Sequence, residues 1–169
     1  MPATSSRPDP RVGRVKTWMG SAQAMRRGVN LWPPYLFTGI RVLEISDDFR
    51  RVVVGLRHSR LTSNYVGTLF GGSLFAMADP WWMIMMMRNL GPDYTVWDKA
   101  GEIEFVTPGR ASVTATFVLD PAEVETVRSL AAAGDRVLRW YPVDVVDPDG
   151  TVVARLRKQL YVRSSERQR

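Results

Sequence analysis

The sequence lacks cysteine altogether and contains a single histidine, His58. Without cysteine there is no disulfide, no thiolate catalysis and no cysteine-ligated metal. One histidine leaves almost nothing from which to build a histidine-rich metal site or a catalytic triad. His58 follows a predicted strand, where it is either a general base or an ordinary solvated side chain. Chemistry is therefore to be sought among carboxylates and backbone amides.

Long hydrophobic runs are also missing. The apolar run at 74–87 is too short to span a membrane and contains Asp79 and Pro80. No secretory hydrophobic segment opens the chain, since residues 1–16 are polar and proline-bearing. A length of 169 residues suits one domain with a sizeable core. These features predict a cytoplasmic protein without stable membrane insertion.

The net charge of +6 is confined to the two ends of the chain. Residues 1–30 hold six basic side chains and one acid, and residues 163–169 hold three and one, so the ends carry +5 and +2. The body, residues 31–162, holds the remaining 14 basic and 15 acidic groups, a net charge of −1. A nonspecific nucleic-acid binder is expected to carry its basic surface on the folded body. The distribution argues against nucleic acid as a partner.

The N-terminal part combines a polar tail with a helical pattern. Residues 1–10 predict a disordered tail. The apolar positions of residues 12–29 recur at helical spacing with basic residues on the other face, and the proline pair at 33–34 ends the pattern. This helix either lies on a membrane or a partner or docks on the core through its Trp18 face.

Six alternating segments are typical of strands joined by tight turns. They are Tyr35 to Ile45, Phe49 to Leu56, Val96 to Val106, Ala111 to Leu119, Arg136 to Val146 and Thr151 to Val162. A long apolar helix is predicted over 71–90 with a kink at Pro80, and a short helix from Asp120 to near Gly134. The fold class is α+β, an antiparallel sheet of about six strands wrapped around a long central helix. The predicted boundaries are tail and helix at 1–30, folded domain at 31–163 and basic tail at 164–169.

Two segments carry a family resemblance. Residues 64–79, NYVGTLFGGSLFAMAD, resemble the N-x-x-G-T-x-H-G-G-x-L-F-x-L-A-D signature of phenylacetate-pathway-type acyl-CoA thioesterases of the hotdog superfamily. Residues 97–110, WDKAGEIEFVTPGR, and the strand at 153–162 are similar to a bacterial hotdog family of unknown function. The resemblance spans roughly residues 30–163. It implies a hotdog fold, a homodimer or dimer of dimers, an acyl thioester as substrate and no cofactor beyond the coenzyme A of that substrate.

Phe70 departs from the signature, because the thioesterases have a histidine at this position, assigned to the substrate carbonyl. Phenylalanine cannot hydrogen-bond, so any activity must do without that contact. The resemblance places four side chains against the substrate: Asn64, Thr68, Phe70 and Ser73. Judged by residue type alone, Asn64 equally suits a turn cap, and helix capping is the default role of Thr68 and Ser73.

Asp79, Gly71 and Gly72 are the predicted catalytic residues. Thioester hydrolysis needs an oxyanion donor and a carboxylate that acts as base or nucleophile. The free amides and the dipole at a helix start supply the donor, and Asp79 supplies the carboxylate unless it is a structural acid buried in an interface. Gly71 and Asp79 are about 12 Å apart along a helix. One active site therefore needs Gly71 from one copy and Asp79 from another.

A non-catalytic protein that binds acyl or lipid ligands is the alternative function, and Phe70 favours it. The tryptophans and methionines of residues 81–87 either line an acyl pocket or pack in the core or dimer interface. Five basic side chains are either ligands for the phosphates of coenzyme A or solvated charges on strands: Lys99, Arg110, Arg155, Arg157 and Lys158. A hydratase is disfavoured, since His58 lies outside the motif.

Overall fold

The structure, a computed structural model, describes residues 20–132, 134 and 136–164. Its helices are α1 Ala22–Leu31, α2 Pro33–Leu36, α3 Gly71–Ala78, α4 Trp81–Leu90 and α5 Pro121–Ala132. Its strands are β1 Ile40–Ile45, β2 Arg51–Leu56, β3 Tyr94–Phe105, β4 Val113–Val118, β5 Val137–Val146 and β6 Val152–Ser164. The predicted N-terminal tail, the first part of the predicted helix with Trp18, and residues 165–169 lie outside the described residues.

The six strands form one antiparallel sheet in the order β1-β2-β4-β5-β6-β3. The longest register joins β3 to β6, from the pair Tyr94–Ser164 to the pair Phe105–Ala154. β3 is an edge strand, and its outer edge has no strand partner among the described residues. The predicted α+β class, with six antiparallel strands around a central helix, is confirmed.

The central helix is two helices, α3 and α4, separated by Asp79 and Pro80. The prediction of one helix over 71–90 is therefore wrong in its continuity, although the predicted kink at Pro80 is confirmed. Proline has no N–H to donate to the carbonyl four residues earlier, so the helix ladder is broken there. Met77 and Trp81, on either side of the break, are fully buried against the sheet and form the middle of the core.

The N-terminal helix α1 docks on the core through Ala22, Met25 and Val29. Its Asn30 side chain accepts from the N–H of Val42 at 2.7 Å and donates to the carbonyl of Val42 at 3.1 Å, so it satisfies backbone groups of the edge strand β1. Core docking is thus confirmed for the described part of the helix. No helix of the described residues is long and apolar enough to cross a membrane.

Several predicted boundaries are corrected at turns. Residues 33–36 form α2, because Pro33 fits the first position of a helix, so the strand predicted from Tyr35 begins only at Ile40. Phe49 lies in the hairpin turn with a φ of 56°, and its strand begins at Arg51. The cap predicted at Asp120 is confirmed, since its carboxylate accepts from the N–H of Ala122 at 2.8 Å.

Candidate active site

The break between α3 and α4 is held by Tyr35 of α2. Its hydroxyl lies 3.4 Å from the carbonyl of Ala76, which Pro80 leaves without its helical donor, and 3.2 Å from that of Met77. The indole N–H of Trp81 donates back to the hydroxyl at 2.9 Å. Burial raises the pKa of Tyr35 far above its usual value, so the hydroxyl stays a donor. A residue remote in sequence thereby stabilises the backbone that carries Asp79.

The Asp79 carboxylate lies at the break and is ion-paired with Lys158 of β6. The Lys158 Nζ is 2.6 Å from Asp79 Oδ1 and 3.5 Å from Asp98 Oδ2. The side chain of Lys158 is only 5% exposed, whereas that of Asp79 is 54% exposed. Asp79 Oδ2 has no hydrogen-bond partner among the described residues. The acid is therefore tied at one oxygen and open at the other, and apolar surroundings do not enclose it in the single chain.

Strand periodicity explains why a lysine is buried here. Lys158 alternates with Leu156 and Leu160, which face the core, so its side chain faces the core as well. On the neighbouring β3 a bulge at Lys99 shifts the register between Asp98 and Ala100. A bulge reverses which residues face inward. Asp98 before it and Gly101 after it both lie beside Lys158 as a result.

Asp98 is the second carboxylate of this cluster and is more enclosed than Asp79. Its side chain is 22% exposed, and its Oδ1 is buried without a hydrogen-bond partner among the described residues. Burial raises the pKa of Asp98; Lys158 lowers it in part, and the charge of Asp79 raises it further. From the sequence, Asp98 was not recognised as a site residue, and Lys158 was considered only as a phosphate ligand or a solvated strand charge. The alternation of Lys158 with core leucines was the available signal.

Gly71 and Gly72 form the first turn of α3, as predicted, and Phe70 is the N-cap without a side-chain hydrogen bond. The N–H groups of both glycines have no acceptor among the described residues, which is typical of a helix start. A Cβ on Gly71 would lie 2.8 Å from the Phe105 ring, and a Cβ on Gly72 would lie 2.4 Å from the Phe70 ring. A side chain at either position would therefore have to displace an aromatic ring.

A cavity of about 470 Å³ opens beside Gly71. Asn64 and Thr68 line it on one side and Phe105 and Arg110 on the other. The side-chain oxygen Oδ1 of Asn64 accepts from the backbone N–H groups of Val66 and Thr68. The side-chain Nδ2 of Asn64 donates to the Thr68 hydroxyl at 2.9 Å. The structure therefore brings Asn64, Thr68 and Gly71 together at one cavity, with the Asn64 side chain engaged in holding its own loop.

The remaining predicted residues lie elsewhere. Phe70 is 55% exposed and Ser73 is buried, and neither they nor Asp79 line the cavity beside Gly71. His58 Nε2 contacts the Gly67 carbonyl and the Ser63 hydroxyl, each at 3.2 Å, and so braces the loop before α3. No group of three or more residues able to hold a metal ion occurs among the described residues.

The five basic residues considered for phosphate binding lie in four different settings. Lys99 is exposed at the bulge of β3. Arg155 and Arg157 form exposed ion pairs with Glu104 and Glu102 across β3 and β6. Lys158 is buried against Asp79. It therefore cannot contact an external phosphate. It is not a solvated strand charge either, which was the other role predicted for it. Arg110 has no ion-pair partner among the described residues and lines the cavity.

Comparison with known proteins places the chain in a family. A sequence model of the family described as "Domain of unknown function (DUF4442)" matches residues 21–162. No curated protein matches the sequence.

Solved structures show the same fold at low sequence identity. A Pseudomonas aeruginosa protein of unknown function, PA5026, named a probable thioesterase, is 16% identical with a TM-score of 0.68 over 92% of this chain and 96% of that one. The Haemophilus influenzae thioesterase HI1161 is 15% identical with a TM-score of 0.64 over 86% and 92%. The Escherichia coli PaaI protein from the phenylacetic acid degradation operon is 20% identical with a TM-score of 0.56 over 87% and 93%. The fold is therefore the hotdog fold.

Proposed function

The chain belongs to the family described as domain of unknown function DUF4442, and we propose that it hydrolyses acyl thioesters at a site shared by two copies. The observation that carries the proposal is the state of Asp79. Its carboxylate stands at a helix break, bound to Lys158 through one oxygen and open through the other. A carboxylate held in this way suits a base or a nucleophile. The names of the structural neighbours HI1161 and PA5026 point to the same reaction class.

Asp79 can promote hydrolysis by one of two routes. As a base, Asp79 takes a proton from water while the water oxygen attacks the thioester carbonyl carbon; as a nucleophile, it forms an anhydride that water then cleaves. In either case the C–S bond breaks and the thiolate leaves and takes up a proton. The free amides of Gly71 and Gly72 are suited to receive the negative charge that develops on the carbonyl oxygen.

Two copies are required because Gly71 and Asp79 lie at opposite ends of α3. The helix has eight residues, about 12 Å in length, which is too far for both groups to reach one carbonyl. The outer edge of β3, which has no strand neighbour among the described residues, offers a place for a second copy, since a long edge strand favours pairing with another strand. A two-fold axis there would set α3 of each copy against that of the other.

The substrate class follows from the cavity beside Gly71. Its apolar walls include Leu74, Phe105 and Val106, and Arg110 stands at its margin without an ion-pair partner among the described residues. This combination suits an acyl thioester whose carrier bears phosphates, as coenzyme A does. Phe70 offers no hydrogen bond at the cap of α3, so the amides alone act on the carbonyl.

The experiment measures thiol release from a panel of acyl-CoA esters. Asp79→Asn and Asp79→Ala are expected to lower kcat to the level of the uncatalysed reaction with the melting temperature retained. Asp149→Asn, a change in an exposed turn, is the matched control and should retain full activity. Unchanged turnover in either Asp79 variant would contradict the proposal. Tight acyl-CoA binding without hydrolysis in the parent protein would instead support the alternative of a non-catalytic acyl-binding protein.

A further inference from the structure

Lys158 is a buried ammonium in the core of an otherwise apolar sheet face. Its side chain is 5% exposed and stands between Leu156 and Leu160 on β6. A buried charge is costly unless paired charges and hydrogen bonds compensate it. Here two carboxylates do so, Asp79 at 2.6 Å and Asp98 at 3.5 Å. A lysine serving only the stability of the sheet would be replaceable by leucine, so this arrangement needs another explanation.

The aliphatic stem of Lys158 packs beside the Phe75 ring and Gly101. The Phe75 ring centroid is 5.2 Å from Nζ. A Cβ on Gly101 would lie 2.7 Å from the Phe75 ring and 3.1 Å from Lys158 Cδ. The glycine therefore leaves just enough room for the lysine stem to pass beneath the ring. Because the stem is enclosed, the ammonium has little freedom to leave the two carboxylates.

Asp79 and Asp98 differ in exposure, and this difference gives them different roles beside Lys158. Asp79 is the more exposed and receives the shorter contact, while Asp98 lies deeper and has one oxygen without a partner among the described residues. One ammonium cannot neutralise both acids. Burial raises the pKa of Asp98, whereas Asp79 is the carboxylate that solvent and substrate can reach.

We propose that Lys158 is the positioning residue of the hydrolytic site: its enclosed ammonium orients the Asp79 carboxylate, and Asp98 anchors the ammonium from the far side. The inference rests on the proposed thioesterase function and deepens it. Lys158 binds Oδ1 of Asp79, which leaves Oδ2 as the oxygen that meets water or the carbonyl carbon. Lys158 touches neither substrate nor reacting atoms.

The test compares Lys158→Met with the parent protein as full-length chains. Methionine retains an apolar stem beneath Phe75 but has no charge. We expect kcat for acyl-CoA hydrolysis to fall by roughly tenfold to a hundredfold with little change in KM, the scale of misplacing a reacting group by about 1 Å. Lys158→Arg, which retains a cation that can donate to Asp79, should recover most of the lost kcat.

Lys99→Met is the matched control, because Lys99 is exposed on the bulge of the adjacent strand; it should leave kcat unchanged. If circular dichroism shows that Lys158→Met does not fold, Lys158→Gln carries the same expectations. A parental kcat in the lysine variant would overturn the inference alone. A fall in kcat that Lys158→Arg does not reverse would also overturn it, as this would indicate a purely structural role. A parent that releases no thiol would overturn the proposed function, and the inference with it.

Discussion

The Trp81 indole N–H donates to the Tyr35 hydroxyl at 2.9 Å, and that hydroxyl in turn faces the carbonyls of Ala76 and Met77 at the helix break. Both residues are buried, with 0% of the surface of Trp81 and 1% of the surface of Tyr35 exposed. The two residues are 46 positions apart in the chain. The pair joins the short helix α2 to the two halves of the central helix, and it carries the backbone on which Asp79 stands.

Tyr35→Phe is therefore expected to lower the free energy of unfolding by about 1–3 kcal/mol, because it leaves the buried indole N–H of Trp81 without its acceptor. Chemical denaturation monitored by circular dichroism measures the change. Tyr65→Phe removes a hydroxyl from a fully exposed ring and is the control. A loss below about 0.5 kcal/mol in Tyr35→Phe, no more than a typical surface substitution, would show that water replaces the bond at no cost.

Asp98 gives the stability a pH dependence of definite sign. Its pKa is raised above the usual 3.8 in the folded chain, so the folded state holds this proton more tightly than the unfolded state. The stabilising contribution is complete below the unfolded pKa and is lost as the pH rises through the folded one. Relative to the parent, Asp98→Asn should thus gain stability as the pH rises from about 4, near the unfolded pKa, through the folded pKa, since asparagine does not ionise.

The measurement is the melting temperature of both proteins across that range, with Asp149→Asn as the exposed control. A difference between Asp98→Asn and the parent that stays constant with pH would contradict the burial of Asp98 as the cause.

Two inactive variants should complement each other if the active site is shared between copies. Gly71→Pro removes the first amide of α3 while proline remains acceptable at the start of a helix; removing an oxyanion donor typically costs about 10²–10³ in kcat. Gly71→Ala introduces a similar Cβ near Phe105 and retains the N–H, so it is the control for bulk.

In a refolded equimolar mixture of Asp79→Asn and Gly71→Pro, half of the dimers are mixed and each has one intact site. About a quarter of the parental activity should return.

If the mixture shows only the sum of the activities measured for the two variants separately, the active site is not shared between copies.

Arg110 should matter only for substrates that carry phosphates. Arg110→Gln is expected to raise KM for acyl-CoA by roughly two- to fivefold, the scale of an exposed charge pair, because the side chain lines the cavity without another ion-pair partner among the described residues. A truncated thioester without the nucleotide should show no change. Arg157→Gln is the matched control, since Arg157 is already paired with Glu102 at 2.6 Å. An equal effect on both substrates would argue against a phosphate contact.

The sequence alone was sufficient for features that depend on neighbours along the chain. Strand alternation predicted the six-stranded antiparallel sheet, and Pro80 predicted the interruption of the central helix, because a proline lacks its N–H in any context. The glycine pair at the start of α3 was likewise visible, since helix starts leave amides free. The strand predicted from Tyr35 failed at its first residues: alternation of apolar residues does not distinguish a short helix beginning at Pro33 from an extended segment.

Only the tertiary structure decided which side chains meet Asp79. Its cation is Lys158, 79 positions along the chain, and Asp98 joins them because of a one-residue bulge in β3. By composition, Lys158 is one of several basic residues on alternating strands, and a bulge that reverses which residues face inward depends on pairing with another strand. Local sequence therefore determined where the acid stands on its helix. The orientation and counter-ion of Asp79 were decided by contacts that exist only when distant strands are brought together.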